Sequence, residues 1–451
     1  IVIGGGPTGI STAFMLTENP DTSVLLVEAD SMLGGNWKTE WDDAYHIEHS
    51  PKVLFTSHQY VYDLLKYVNV TPKLRPVYSK SFVRLFVDFT RRYFSITDIL
   101  KMTWGCRYYY TDYYKDIDSW MDDIRLSTKA KHGLTMMCVM IANVPTKMCI
   151  GGLIESVLPL IFVCNQQIVQ FSKPNEWIDA ATQELRRRSN LTIRTNTTVE
   201  KIHETNEGIV LDKEVVYGKQ IVCCIPIKQL YALTKRSPHL HKNWFDSIDA
   251  LQAFSNDSSY VGLGVQLHFD KPMDQYSDKL GLCWSCTQPW NIIVVPKEHI
   301  LDTFSKDPKV KSVWSCVIID HNAYSFRLAK TVIECTKEEI IDEIIFQLST
   351  ITGTEINPYK ITMYDSQIYP SSYSNRYGPL PMVGKAPNIY AVGPHTTGRI
   401  ATIEEGLTSS IDFVNRIGLN QNIYHVKKPN TRALILIICI VTLLVIKNKT
   451  L

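Results

Sequence analysis

The chain of 451 residues is 45% apolar and 20% charged, with a formal net charge of +2, the profile of an ordinary globular protein with material for two domains. So small a net charge argues against a polyanion-binding surface and excludes nucleic acid as the expected partner. Eleven cysteines lie without a repeated spacing, and Cys283-Trp-Ser-Cys286 has no second pair or Cys/His set beside it. That usage predicts no metal site and a reducing compartment with mostly free thiols.

The chain opens IVIGGGPTGI, a β-branched strand end followed by Gly4, Gly6 and Gly9 at the G-x-G-x-x-G spacing. The first glycine permits a tight turn, the second lets backbone approach a pyrophosphate, and the third lets helix and strand pack closely. Pro7 and Thr8 lie in the same turn, and the helix they open, Ile10 to Leu16, aims its N-terminal amides at an anion. A second apolar strand, Val24 to Val27, ends in Glu28, nineteen residues after Gly9. A carboxylate there accepts hydrogen bonds from ribose hydroxyls and repels a 2′-phosphate. The chain begins in its first strand without an initiator methionine, which reads as a trimmed N-terminus, and no signal peptide is visible.

From Phe82 to Tyr114 the chain is dense in aromatics, with Trp104 and Trp120 nearby. Helical patterning is expected over Asp116–Arg125, Gly152–Val163 and, most clearly amphipathic, Glu176–Arg188. A strand, Leu191–Arg194, leads into a meander at Val199–His203, Gly208–Leu211 and Glu214–Val216, and then the apolar strand Gln220–Ile225. Alternation at Tyr260–Phe269, Leu280–Ser285, Ile292–Val295 and Val313–Ile319 predicts a second sheet. A helix follows at Glu338–Ser349, then a last strand at Asn388–Val392, a Gly-rich turn and helix Ile403–Arg416. The fold expected is α/β: a discontinuous Rossmann-like domain (1–80, 190–235 and 380–420) with an inserted mixed α+β substrate domain (81–189 and 236–379).

Beyond a polar linker at 421–432, Ala433 to Ile446 holds no charge and is bracketed by Arg432, Lys447 and Lys449. Fourteen residues make only ~21 Å of helix against a hydrocarbon core of ~30 Å. Snorkelling Arg and Lys and local thinning make up the difference. The segment is therefore a candidate transmembrane anchor that leaves the catalytic domain on the cytosolic face.

Three separated stretches together resemble the flavin-dependent amine oxidase superfamily, which includes amine oxidases, phytoene-type desaturases and protoporphyrinogen oxidase, with UDP-galactopyranose mutase as a distant relative. They are the N-terminal unit extended by Gly34-Gly35 and Thr39, the block Thr197 to Pro226, and NIYAVGPHTTGRIATIEEGLTSS near the C-terminus. The resemblance implies non-covalent FAD, held at Gly4, Gly6, Pro7, Thr8, Gly9, Glu28, Gly34, Gly35, Asn36, Val199, Gly393, Pro394, Arg399 and Ile403. It assigns Val199 to the adenine edge, Gly393 and Pro394 to the ribityl and pyrophosphate, and the start of the last helix to the pyrimidine carbonyl.

The departures matter as much. Asn36 stands where the superfamily usually has Arg, and it is the residue the mutase branch carries. Pro394 replaces the usual ribityl-binding carboxylate, and no Cys between Cys335 and Cys439 is placed for a covalent flavin link. At the position of the amine oxidases' lysine, five residues before Phe269, this chain has Gly264. The catalytic residue is therefore unassigned, with Lys297, His268 and Tyr373 as weak candidates beside ordinary surface, strand and packing roles. Glu404 and Glu405 read as first-turn acids of the last helix, and His395 as a neighbour of the flavin. The expected function is oxidation of a C–N or C–C bond of an amine or apolar substrate by hydride transfer to FAD, with O2 as reoxidant. The alternatives are a mutase-like reaction on a nucleotide sugar, or a degenerate flavin-binding membrane protein.

Overall fold

The computed structural model describes residues 1–76, 93–106, 115–142, 150–152, 167–241, 244, 248–258, 260–276, 284–286, 289–318, 321, 323–363, 369–372, 379–386, 388–397 and 402–419. Strand β1 (Val2–Ile3) leads into helix α1 (Pro7–Thr17) and β2 (Val24–Val27). A hairpin of β3 (Glu40–Asp42) and β4 (Tyr45–Ile47) follows, then α2 (Gln59–Tyr67) and β5 (Lys73–Pro76). Helices at Ile96–Cys106, Ile117–Asp123 and Thr128–Ala142 precede β6 (Gln167–Gln170), which pairs with β5. Next come α3 (Glu176–Arg186), β7 (Leu191–Arg194) and the meander β8 (Lys201–Ile202), β9 (Gly208–Leu211) and β10 (Glu214–Tyr217). Then follow β11 (Ile221–Cys223), α4 (Ile227–Lys235), a helix at Ile248–Ser258, β12 (Tyr260–Phe269), β13 (Trp284–Cys286), β14 (Ile292–Pro296) and β15 (Ser312–Ile318). The last elements are α5 (Lys337–Thr352), β16 (Lys360–Met363), β17 (Tyr369–Ser372), β18 (Ile389–Ala391) and α6 (Ile403–Arg416).

Two sheets organise these elements. The first is parallel, in the order β18-β11-β1-β2-β7, with Val2 opposite both Leu26 and Val222. Its strands come from both ends and the middle of the chain, so the sheet closes only when the distant segments meet. Its strands are short and nearly all apolar, as strands covered on both faces must be. Helix α1 is buried from Thr8 to Thr17, and α3 buries Trp177, Ile178, Ala181 and Leu185 along one stripe. The second sheet is antiparallel, β13-β14-β15-β12-β16, with β17 pairing to the start of β12. All seven residues of β15 are buried, and α5 packs Ile340, Ile344 and Leu348 against that core. A capping box of Thr336 and Glu339 starts α5, and Gly353 in the left-handed region ends it.

The hairpin β3–β4 belongs in sequence to the nucleotide half but rests on the second sheet. Alternation along a strand sends successive side chains to opposite faces. His46 and Glu48 accordingly turn inward and are 0% and 1% exposed. The Glu48 carboxylate is ion-paired with Lys297 and accepts a 2.7 Å hydrogen bond from Ser315. Lys52 and His46 approach its other oxygen at 3.5 and 3.3 Å. The Gln266 amide grips the same residue's backbone, donating to the Glu48 carbonyl at 2.8 Å and accepting from its N–H at 3.3 Å. Burial opposes the charge on Glu48, but Lys297, His46 and Lys52 outweigh it and hold the carboxyl well below its usual range.

One expectation changes here. Lys297 is not a surface residue: it is 1% exposed and structural. Among the described residues no helix is long and apolar enough to cross a membrane; the candidate anchor 433–446 lies outside the described residues, as do Arg399, Tyr373 and most of the helix expected over Gly152–Val163.

Removing one partner of a buried ion pair leaves the other uncompensated. Glu48→Gln is expected to cost about 3–5 kcal/mol, whereas Ser315→Ala loses one hydrogen bond, about 1 kcal/mol. Urea unfolding of both variants checks the order; equal losses would mean that the carboxylate does not hold the hairpin.

Candidate flavin site

The glycine turn is built as its spacing predicts. Gly4 has φ +99°, and a Cβ on Gly9 would stand 1.8 Å from the Gly4 carbonyl oxygen, so neither position tolerates a side chain. The second pair closes on the first: Gly34 N–H donates to the Gly5 carbonyl at 2.8 Å, and a Cβ on Gly35 would meet the Gly6 Cα at 3.0 Å. Gly6 itself has only the Gly35 Cα, at 3.9 Å, near its missing Cβ, so this backbone is open to an approaching group. No side chain caps the N-terminus of α1, which leaves its first amides for an anion.

Glu28 ends β2 with a carboxylate that accepts from Gly5 N–H at 2.5 Å and Asp30 N–H at 2.8 Å. A carboxylate has about four acceptor sites, so these bonds orient it and leave capacity for ribose hydroxyls. A cavity of about 1230 Å³ opens over this turn, above the roughly 300–1,000 Å³ of ordinary small-molecule pockets. One end is lined by Gly4, Glu28, Asp30, Val199 and Arg236; the other by Trp41, Ile47, His49 and Met363; Gly393, Pro394, His395, Thr402 and Ile403 form a further wall. Gly6, Pro7, Thr8, Gly35 and Asn36 also line it. The cavity thus brings together the expected residues Gly4, Gly6, Pro7, Thr8, Glu28, Gly35, Asn36, Val199, Gly393, Pro394 and Ile403, while Gly9 and Gly34 support the turn from behind. Val199 uses its carbonyl to accept from Arg236 at 3.4 Å.

The far wall is held from behind by hydroxyls. Gly393 N–H donates to Ser409 Oγ at 2.9 Å, and Thr402 caps α6 by accepting from Glu405 N–H at 3.3 Å. His395 packs its ring against Gly393, and burial alone lowers its pKa to about 4, so it is neutral. Glu404 does not serve its own helix. It reaches across to cap α2, accepting from Tyr60 and Val61 N–H at 2.9 and 3.1 Å.

Residues 2–68 match the NAD(P)-binding Rossmann-like domain, and residues 161–417, more than half of the chain, match the flavin containing amine oxidoreductase family. The chain belongs to the flavin-containing amine oxidoreductases. It is a flavin-dependent oxidoreductase, and the family implies a flavin for the cavity. The glycine cradle, the uncapped helix end and the oriented carboxylate all fit one. No curated protein sequence is significantly similar. Among solved structures the fold resembles cyclohexylamine oxidase from Brevibacterium oxydans IH-35A, at 12% identity over 92% of this chain and 98% of that one, TM-score 0.59. It resembles equally a protein described as a protoporphyrinogen oxidase from Exiguobacterium sp. 255-15, at 14% identity over 93% and 98%, TM-score 0.60. A reduced UDP-galactopyranose mutase matches at 14% identity over 93% and 94%, TM-score 0.63.

Neither described catalytic candidate lines the cavity. Lys297 faces Glu48, and His268 hydrogen-bonds Thr362 Oγ1 at 3.0 Å, its pKa lowered to about 3 chiefly by burial. At Gly264 a Cβ would lie 2.2 Å from the Glu48 carbonyl oxygen and 2.6 Å from the His49 carbonyl carbon and oxygen. Backbone fills the space a lysine would need. Sequence reasoning missed His49, Trp41 and Arg236; the alternation in YHIEH was the available signal for His49.

Two outcomes follow. Gly264→Lys is expected to lower folded yield and cofactor content together, because the Glu48–His49 peptide cannot move without breaking the hairpin's anchorage; soluble yield and visible absorbance measure both. Burial raises the Glu404 pKa from 4.5 to about 7 against its backbone hydrogen bonds. An acid raised on folding contributes stability below its unfolded pKa and loses it as pH rises through the folded one. Glu404→Gln should therefore flatten the fall in melting temperature between about pH 4.5 and pH 7 relative to the parent chain.

Proposed function

We propose that this chain binds FAD non-covalently and oxidises a C–N or C–C bond of an amine or apolar substrate by hydride transfer to the flavin, with O2 as reoxidant. The observation that carries this reading is one cavity whose lining includes the Glu28 carboxylate, the glycine cradle and the side chains of Trp41, Ile47 and Met363. An adenine dinucleotide suits the carboxylate and the cradle, and a small apolar group suits the side chains. Glu28 accepts from the ribose, the open amides of α1 hold the diphosphate, and neutral His395 with the start of α6 lines the wall beside the ring system. The bound flavin supplies the hydride acceptor, so the protein's part is to position the substrate and exclude water. Cys224 is the cysteine among the lining residues, and burial pushes its thiol up to about 12, which suits non-covalent binding.

Purified protein is expected to show the visible bands of oxidised flavin, and acid precipitation should release FAD into the supernatant. Glu28→Ala should weaken FAD retention at least tenfold, measured by absorbance after dialysis. A panel of amines and apolar substrates should bleach the flavin anaerobically and release peroxide in air. Turnover of a nucleotide sugar without oxygen consumption would point to mutase-like chemistry instead, and a flavin that no substrate bleaches would point to a degenerate scaffold.

The apolar run Ala433 to Ile446, flanked by Arg432, Lys447 and Lys449, supports a further part of the proposal: membrane attachment through the C-terminus with the flavin domain on the cytosolic side. Protein lacking residues 430–451 is expected to leave the membrane fraction. Equal partitioning of the truncated and full chains would overturn this.

A further inference from the structure

Helix α4 turns one face to the cavity, and no part of the glycine motif accounts for it. Gln229, Ala232, Leu233 and Arg236 all line the wall, and that spacing places them on a single stripe of a helix. The stripe is polar at its two ends and apolar between. Ala232, its smallest side chain, is half-buried, while Leu233 is buried and joins Leu230 in the core beneath.

The end of α4 is tied to the segment that carries Val199. The Arg236 Nε–H donates to the Glu200 carbonyl at 2.6 Å, and an Nη2–H donates to the Val199 carbonyl at 3.4 Å. Beside it Ser237, wholly buried, accepts from the Ile202 N–H at 2.9 Å. On its other side the same segment lies against the end of β2. Thr197 N–H donates to the Glu28 carbonyl and Asn196 N–H to the Asp30 carbonyl, both at 2.9 Å. Glu28, Val199 and Arg236 are thus joined along one short path of backbone and hydrogen bonds, so the protein itself fixes where they stand relative to one another. A guanidinium carries more N–H donors than the two engaged here, and the rest remain for a bound group.

We infer that this face of α4 is the surface that takes the purine of an adenosine diphosphate group, and that Arg236 is a specificity-determining residue for that half of the cofactor. A purine has a broad apolar ring face and an edge that carries ring-nitrogen acceptors. Ala232 and Leu233 supply the apolar floor, and the small alanine leaves room for a ring between the two polar ends of the stripe. Gln229 both donates and accepts through its amide. Arg236 donates from its remaining N–H groups, and its planar cation also favours the face of an aromatic ring. The flavin mononucleotide half of FAD has no purine, so α4 contributes nothing to holding it. The inference rests on the proposed binding of FAD and deepens that reading.

The test titrates the full-length chain, freed of flavin by dialysis and checked for its fold by circular dichroism, with ADP, UDP and FMN in a calorimeter. UDP keeps the ribose and the diphosphate but carries a smaller base, and FMN lacks the adenosine altogether. The parent chain is expected to bind ADP at least about tenfold tighter than UDP, the worth of one or two good contacts to the base. Ala232→Leu keeps every hydrogen bond named above and fills only the floor. It should weaken ADP by about tenfold or more and bind FMN no more weakly than the parent does. Arg236→Ala should act in the same way, and if it fails to fold, Ala232→Leu decides alone. No binding of ADP by the parent, equal affinities for ADP and UDP, an ADP affinity unchanged in either folded variant, or a loss of FMN that runs parallel to that of ADP overturns the inference. A chain that takes up no FAD sinks the flavoenzyme reading by its visible spectrum, while the ADP titration still decides what α4 binds.

Discussion

The ion pair between Glu48 and Lys297 is the joint on which the rest of this molecule turns. It ties a hairpin that follows the nucleotide-binding turn to the sheet that floors the other end of the cavity, across 249 residues of chain. Burying two charges costs several kcal/mol of solvation per ion, and their attraction offsets this only when the remaining polar atoms are also satisfied. Here Ser315 hydrogen-bonds one carboxylate oxygen, Lys52 and His46 stand 3.5 and 3.3 Å from the other, and Gln266 holds the Glu48 backbone. A well-packed apolar pair could hold the same surfaces with less cost, but it would tolerate slippage. A one-residue slip of the hairpin would send Ile47 and His49 inward and Glu48 into the cavity, so the charge pair fixes register as well as position.

The parallel sheet and its helices show a different way of forcing close approach. Between α1 and α6 the contact is made by small side chains: Ser11 and Thr12 both hydrogen-bond Ser410 at 2.9 Å, and a Cβ on Gly406 would stand 2.5 Å from Thr8 Oγ1. Small hydroxyl residues let the two helices come together while satisfying one another. Because α1 starts at the glycine turn and α6 starts at another wall of the cavity, their tight packing fixes how far apart those two walls stand. The same α6 reaches α2 through Glu404, so one helix packs on the first helix of the chain and caps the second.

What the sequence made legible follows from how local the physics is. The glycine turn, Glu28 and the helix behind them are short-range features, and spacing alone located them. Long alternating or amphipathic runs were equally plain: Tyr260–Phe269 and Leu191–Arg194 are strands over the expected bounds, and Glu176 starts the expected helix. The hairpin Glu40–Ile47 was not legible, because two three-residue strands carry no usable period and EWD has no apolar face. Lys297 and Glu48 were opaque for another reason. A lysine followed by Glu and His reads as surface, and only the fold brings its carboxylate partner to it. Arg236 was hidden likewise as the residue that caps the end of α4, where a basic side chain is ordinary.

Gly264 draws these strands together. Taken alone, a glycine where amine oxidases carry a lysine reads as a lost function. In the fold it is a packing requirement, since the Glu48–His49 peptide occupies the volume that any side chain there would fill. The absence of a side chain on β12 and the anchoring of the hairpin are therefore one feature with two halves, and neither can be reversed alone. Opening space at residue 264 would demand release of the Glu48 carboxylate from Lys297, and release would strand a buried lysine without its partner. Any chemistry this cavity performs has to be done with that floor in place, by groups such as His49 that the anchored backbone presents to it. Departure from the family pattern at one strand position thus goes with a backbone segment, anchored by its buried charges, lying where a single side chain would have stood.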